Sequence, residues 1–356
     1  MKDVISRREL LSWTVALAAG SRLGLSEGSA SPIAPTSQPV DGNKIKNDTF
    51  KFIERCARAD GGYSPSPDPQ YPGSSDTGES DLAAVTYAAT LAKTLGWKLP
   101  HPERSVDFIQ GHQQPSGVFV SFAGKFNPQE DLAVLYNTTQ GVVSLRALGA
   151  KPKTDPTHVF DRFFEKGAFQ KLPWYTTSFF PLVYAALGKP FPAEQREAIT
   201  RHMVEKQAAD GYLDDHVAAT FHMAHFFRLI GEPTPRADAM VKRVLRDQKP
   251  DGGWHLKAPD WDVHSCFDAV FILRQLSWSS APSRAAIERG AQWSAACQNP
   301  DGGFGHYPHE HSDMDAVYFQ LGTLIQAELI PGANFDLPDG QTLSWGHAMK
   351  PGKVYV

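Results

Sequence analysis

Hydrophobic and polar positions fall along this chain in long alternating blocks rather than residue by residue. Runs that are apolar nearly all round extend over Leu82 to Gly96, Leu132 to Gly149, Trp174 to Gly188, His216 to Gly231, Val263 to Leu276 and Met314 to Leu329. Their length and lack of a wet face predict helices packed on both sides. Between them lie more amphipathic segments, such as Glu103 to Gln110, Ala193 to Lys206, Ala237 to Arg246 and Ser283 to Cys297. These read as helices with one face in water. No alternating pattern long enough for a strand is present.

The blocks are punctuated by a recurrent turn in which glycine precedes an aromatic. It reads Asp60-Gly61-Gly62-Tyr63, Ser116-Gly117-Val118-Phe119, Asp210-Gly211-Tyr212, Asp251-Gly252-Gly253-Trp254 and Asp301-Gly302-Gly303-Phe304. Most copies follow a glutamine: Gln113, Gln207, Gln248 or Gln298. Past each turn an acid opens the apolar run: Asp81, Asp131, Asp215, Asp262 or Asp313, with Trp174 opening a weaker copy. These starts recur at intervals of about 41 to 51 residues, which makes six units. An acid ahead of an apolar run predicts a helix N-cap.

Composition narrows the function classes. The chain has 356 residues, a formal net charge of -4 and 41% hydrophobic residues. With no Lys/Arg cluster, nothing supports nucleic-acid binding. Cys56, Cys266 and Cys297 are too scattered for a disulfide framework and read as buried small apolar groups, Cys266 being the one to watch. Residues 1–30 carry Arg7-Arg8, then a short apolar stretch, then small residues near Gly28-Ser29-Ala30. They resemble a twin-arginine (Tat) export signal, which implies a periplasmic or extracellular protein. Residues 31–45 read as a flexible linker, 46–335 as the folded domain and 336–356 as a C-terminal tail. No later run approaches the ~18 apolar residues of a membrane span.

The order outer helix, Q-x-P-D-G-G-aromatic, loop, Asp, inner apolar helix resembles the repeat of the protein prenyltransferase β subunits and the terpenoid cyclases. The resemblance covers about residues 45 to 335. It implies an all-α fold, an α/α toroid of six helical hairpins with about twelve helices in two concentric layers. In such a ring the starts of adjacent inner helices face one end of the central cavity.

The residues that break the repeat gather in its last two units. Asp262 and His264 open unit five; His306, His309, His311, Asp313 and Asp315 belong to unit six. Carboxylates and an imidazole at neighbouring helix starts suit zinc, with Asp262, His264 and Asp315 as ligands. The resemblance implies the same place: prenyltransferase β subunits hold zinc with Asp-x-Cys at one inner-helix start and His at the next. Here His264 stands at the Cys position and Asp315 near the His position, so the thiolate of thiol-alkylation chemistry is missing. Terpenoid cyclases protonate a polyene with Asp-x-Asp-Asp. Asp313-Met314-Asp315-Ala316 is an incomplete version that marks Asp313 and Asp315 as candidate acids. Trp174, Tyr175, His222, Trp261, His306 and Tyr318 are expected to line the cavity. Tyr87, Tyr136, His225, Phe226 and Phe271 are further candidates. Aromatic walls suit an isoprenoid or other apolar ligand and equally suit a glycan. Three readings follow: a prenyltransferase-like enzyme with a metal, a non-catalytic exported binding protein, or a carbohydrate-active enzyme using carboxylate pairs such as Asp214/Asp215. A partner subunit stays open.

Overall fold

The structure is a computed structural model that describes residues 39–71, 76–257, 264–336 and 345–351. The expectations for the export signal, Trp261 and Asp262 lie outside the described residues. Thirteen α-helices are present among them, and no strand. Six form the inner layer: α3 (Asp81–Leu95), α5 (Asp131–Ala147), α7 (Phe179–Leu187), α9 (Val217–Leu229), α11 (His264–Ser277) and α13 (Met314–Gln326). Each packs on the next, and α13 packs back on α3, so the ring closes. The outer layer is α1 (Gly42–Cys56), α4 (Pro102–Gly111), α6 (Thr157–Phe164), α8 (Ala193–Lys206), α10 (Ala237–Asp247) and α12 (Ala281–Ala296). A short helix, α2 (Asp76–Glu79), precedes α3 and touches both α3 and α13. This is the α/α toroid of six hairpins. Helix α1 starts at Gly42, inside the stretch expected to be linker, because Asp41 accepts a hydrogen bond from the Lys44 N–H and caps it.

The repeated turn fastens each unit to its neighbour. The aspartate accepts from a backbone N–H two residues on, as in Asp251 Oδ1 with Gly253 N (3.0 Å) and Asp301 Oδ1 with Gly303 N (3.0 Å). The preceding glutamine donates twice. Gln207 Nε2 reaches Gly211 O and Pro235 O, both at 2.9 Å; Gln248 Nε2 reaches Gly252 O (2.9 Å) and Ala286 O (2.8 Å). One bond closes the turn and the other grips the next outer helix or the loop entering it. In the last unit Gln298 Nε2 reaches Gly302 O (3.2 Å) and Thr49 Oγ1 (3.3 Å) of α1. The first outer helix thus takes the closing place beside unit six.

The acids expected as caps divide. Asp313 caps α13, its Oδ1 accepting from Asp315 N (2.8 Å) and Ala316 N (2.9 Å). At α3 the cap is Ser80, while Asp81 binds His112, Ser121 and the Ala123 N–H. At α5 Glu130 holds the cap position without a side-chain bond, and Asp131 pairs with Arg162. At α9 the cap is His216, and Asp215 sits in a left-handed turn paired with Arg243. An acid one position early or late meets side chains of the outer layer instead of the free N–H groups. Asp262 lies outside the described residues.

The C-terminal segment departs from its reading as a tail. Trp345, His347, Ala348 and Met349 are buried. His347 Nε2 lies 2.7 Å from Thr94 Oγ1 in the last turn of α3, and its Nδ1 lies 2.9 Å from Tyr318 OH. Arg274 and Gln275, near the end of α11, donate to the Met349 carbonyl, both at 3.4 Å. The segment therefore enters the ring from the end where the inner helices finish.

Candidate functional site

At the opposite end, where inner helices begin, polar side chains converge. Asp76 opens α2, His264 opens α11, and Asp315 is the second residue of α13. One donor atom from each lies within 4.8 Å of the others. His264 Nε2 is 3.5 Å from Asp315 Oδ2, and its ring stacks on Phe319 at 3.8 Å between centroids. Tyr87 of α3 and Tyr136 of α5 both donate to Asp76 Oδ2, at 3.1 and 3.0 Å. Buried Asp315 Oδ1 has no hydrogen-bond partner among the described residues.

A second cluster adjoins the first. His306 Nε2 is 2.8 Å from Asp313 Oδ2 and 4.0 Å from Asp315 Oδ2, and Tyr71 OH donates to Asp313 Oδ2 at 2.8 Å. Asp313 thus spends one oxygen on two backbone N–H groups and the other on Tyr71 and His306. It is fully buried, and these four bonds suit it to holding the site together. Asp315 keeps an unbonded oxygen and remains the candidate.

Electrostatics single out Asp76. Burial and the neighbouring Asp315 carboxylate raise its pKa to about 6, outweighing His264 and the two tyrosine hydroxyls, which favour the charged form. Burial likewise holds Tyr87 and Tyr136 protonated, so both stay donors.

Several expected residues do meet here. His264, Asp315 and His306 do, and Tyr175 lies beside His222, with rings 6.5 Å apart. His222 Nδ1 is 2.7 Å from Ser178 Oγ, and burial keeps its imidazole neutral. Two expectations are corrected. Trp174 stacks on His202 of the outer helix α8 at 4.6 Å, so it belongs between the layers. Tyr318 is fully buried, stacked on Tyr87 at 4.6 Å with its hydroxyl beside His347, so it lies beneath the site rather than on its wall. Among the further candidates, Phe226 and Phe271 are core residues. Cys266 is buried and its thiol is pushed up to about 12, which excludes a ready thiolate. Asp214 and Asp215 are exposed, beside Lys257 and Arg243 respectively, and form no enclosed pair. Asp76 was not foreseen; the only signal was the density of acids in Asp76-Thr77-Gly78-Glu79-Ser80-Asp81 ahead of an apolar helix.

A sequence model of the prenyltransferase alpha-alpha toroid domain matches residues 36–148 and 133–345. The chain belongs to this family. A search of curated proteins found no match for the toroid. Among solved structures it is similar to the type II terpene cyclase MstE from Scytonema. The TM-score is 0.52 and the identity 14%, over 81% of this chain and 97% of that one. A variant of that cyclase in complex with merosterolic acid A, its product, has TM-score 0.52 and 15% identity, over 82% and 98%. Candida albicans protein geranylgeranyltransferase-I complexed with GGPP gives TM-score 0.56 and 11% identity, over 79% and 90%. At these identities the likeness is one of fold. No helix among the described residues is long and apolar enough to cross a membrane.

Proposed function

We propose that this toroid is an isoprenoid-handling enzyme that starts its reaction by protonating an alkene with the Asp76–Asp315 carboxyl pair. The observation that carries the reading is geometric. Ala316 stands where the cyclase motif has its last acid, and Asp76 supplies the second carboxyl from α2, within 4.8 Å of Asp315. Burial and the neighbouring carboxylate raise the Asp76 pKa to about 6, so Asp76 can carry the proton. That proton passes to the terminal alkene carbon: an O–H bond breaks, the π pair forms the new C–H bond, and a tertiary carbocation remains. Tyr87 and Tyr136 stabilise the carboxylate left on Asp76. Aromatic faces such as Phe319 and Tyr175 suit the cation. Loss of a proton after ring closure gives a cyclic isomer of the substrate.

A second reading rests on the same atoms. Two carboxylates and an imidazole, with one buried oxygen unbonded, fit a divalent ion such as zinc, held by Asp76, His264 and Asp315. Bound there, it would supply Lewis-acid activation of a diphosphate or an alkene. His264 would orient it, and Phe319 would fix the ring.

The test is incubation with acyclic prenols and prenyl-bearing phenols, with products separated by gas chromatography and weighed by mass spectrometry. Acid catalysis predicts cyclic isomers of unchanged mass, formed in chelator and lost by about 10²–10⁴-fold in Asp76→Asn. About one zinc per chain, absent from His264→Ala, with activity lost in chelator, would favour the metal. Cyclisation unimpaired in Asp76→Asn would sink the acid reading. Export, inferred from residues 1–30, is a proposal tested by locating the protein after fractionation.

A further inference from the structure

Inside the ring, three polar side chains are linked in a row. Ser178, the residue before α7, has its Oγ 2.7 Å from His222 Nδ1 and 3.2 Å from His225 Nδ1, both on α9. The His225 ring is held by Phe221, stacked at 5.5 Å, and by the edge contact of Phe271 at 5.4 Å. His225 Nε2 is buried with no hydrogen-bond partner among the described residues. His222 differs. It keeps 8% of its surface exposed, and its Nε2 neither bonds to a described residue nor is sealed from solvent. Burial pushes the His225 pKa down to about 3, and burial with the nearby histidines lowers that of His222, so both rings are neutral.

Those contacts fix where the protons sit. A neutral imidazole carries one N–H, and a buried N–H without an acceptor is costlier than a bare lone pair. His225 therefore carries its proton on Nδ1 and donates to Ser178 Oγ. The hydroxyl has one hydrogen, which it gives to His222 Nδ1. His222 Nδ1 is thus an acceptor, and the proton of this ring is on Nε2, the atom left accessible. Position gives that donor a use. His222 is the sixth residue of α9 as Tyr136 is of α5, so both lie about 8 Å along from the helix starts. Phe179 joins them, 6.2 Å from the Tyr136 ring and 5.5 Å from that of His222. Tyr136 donates to Asp76, so His222 belongs to the belt of side chains that supports the carboxyl pair. With Asp76, Asp313 and Asp315 at this end of the ring, an uncharged oxygen suits the donor better than an anionic head group.

We infer that His222 selects substrates that carry an uncharged oxygen, to which its Nε2–H donates, and that Ser178 and His225 are positioning residues that hold it in that tautomer. The inference rests on the isoprenoid reading above and narrows it to alcohols, phenols and ketones rather than bare hydrocarbons. A hydrocarbon would leave the N–H unpaired beside the rings of Phe179 and Tyr175, a loss that a hydroxyl or carbonyl oxygen avoids.

Two measurements on the full chain test it. Long-range proton–nitrogen NMR of histidine-labelled protein reads the tautomers, with the His222 signals identified by their loss in His222→Gln. The Nε2–H form is expected at His222, and the Nδ1–H form there would overturn the relay and the inference. The second measurement is calorimetric titration with farnesol and with farnesene, a hydrocarbon of the same carbon count, with thermal melts verifying the fold. His222→Phe keeps a ring and loses the donor, so farnesol should bind about five- to tenfold more weakly while farnesene changes by less than about twofold. His222→Gln returns an N–H at similar reach and should bring farnesol back to within about threefold of wild type. It also leaves the NMR test intact if the phenylalanine variant does not fold. An unchanged ratio of farnesol to farnesene affinity in folded His222→Phe would overturn this inference alone. Binding of neither ligand by any of the proteins would overturn the isoprenoid reading and this inference with it.

Discussion

Asp76 is held near a second carboxylate at a cost that pH reveals. Its folded value of about 6 lies above the ordinary 3.8 of an aspartate. Below about pH 4 it is protonated whether folded or not, and the site is free of repulsion. As pH rises through 6 the folded protein must give up the proton, and stability falls. Asp76→Asn should therefore be more stable than wild type by about 1–3 kcal/mol at pH 7.5. The difference should vanish near pH 4, as read from urea melts at the two pH values. A variant less stable at pH 7.5 would mean that the tyrosine hydrogen bonds outweigh the repulsion. Asp315, His264 and His306 were legible in the sequence because they interrupt a repeat whose other members lack them. Asp76 was not, because it lies in a connecting segment of the first unit. It meets the last two units only through ring closure, a contact that no local pattern reports.

The turns explain why the repeat reads as it does. Gly302 has φ +87°, and a Cβ on it would sit 2.3 Å from the Asp48 carbonyl oxygen. Gly96 also has positive φ, at +68°, but a Cβ there would meet nothing within 4 Å. Gly96→Ala should cost about 1–2 kcal/mol, the backbone penalty alone. Gly302→Ala should cost that and more, at least about 3 kcal/mol, because the clash is with backbone that cannot rotate away. Chemical denaturation of both variants measures the difference. The glutamine and glycine spacing was thus visible as a motif while its cause, docking on the next outer helix, was not. The caps were misplaced for a related reason. Ser80 and His216 offer the same acceptor as an aspartate one residue away, and only the outer-layer side chains decide which is used. Unit three shows the limit of periodicity: Trp174–Thr176 is a separate 3₁₀ turn, and the helix starts only at Phe179.

Across the whole molecule, α1 closes the outer layer with residues distant in sequence. Lys46 Nζ donates to Pro331 O (2.9 Å) and Arg55 Nη2 to Asp301 O (2.6 Å), while Phe52 packs under Gly303. Deleting residues 42–56 should leave unit six exposed and replace one cooperative calorimetric transition with a broad one. A sharp transition at unchanged temperature would show that the ring closes without α1. Toroid architecture could be read from the six-fold count of apolar runs. That the axis is filled from below could not, because 345–351 shows no repeat and only one large aromatic.

The filled axis bears on when the site comes into being. Thr94 meets His347 across 253 positions of chain, and Asp313 meets Tyr71 across 242. Contacts of such separation form late, after the entropy of closing long loops has been met. A chain growing from its N-terminus can build each hairpin as it emerges. It cannot bring Asp76 to Asp315 until α13 has been made, nor Thr94 to His347 until residues 345–351 have followed. In the proposed reading, the carboxyl pair is thus absent from every chain that has not yet made α13.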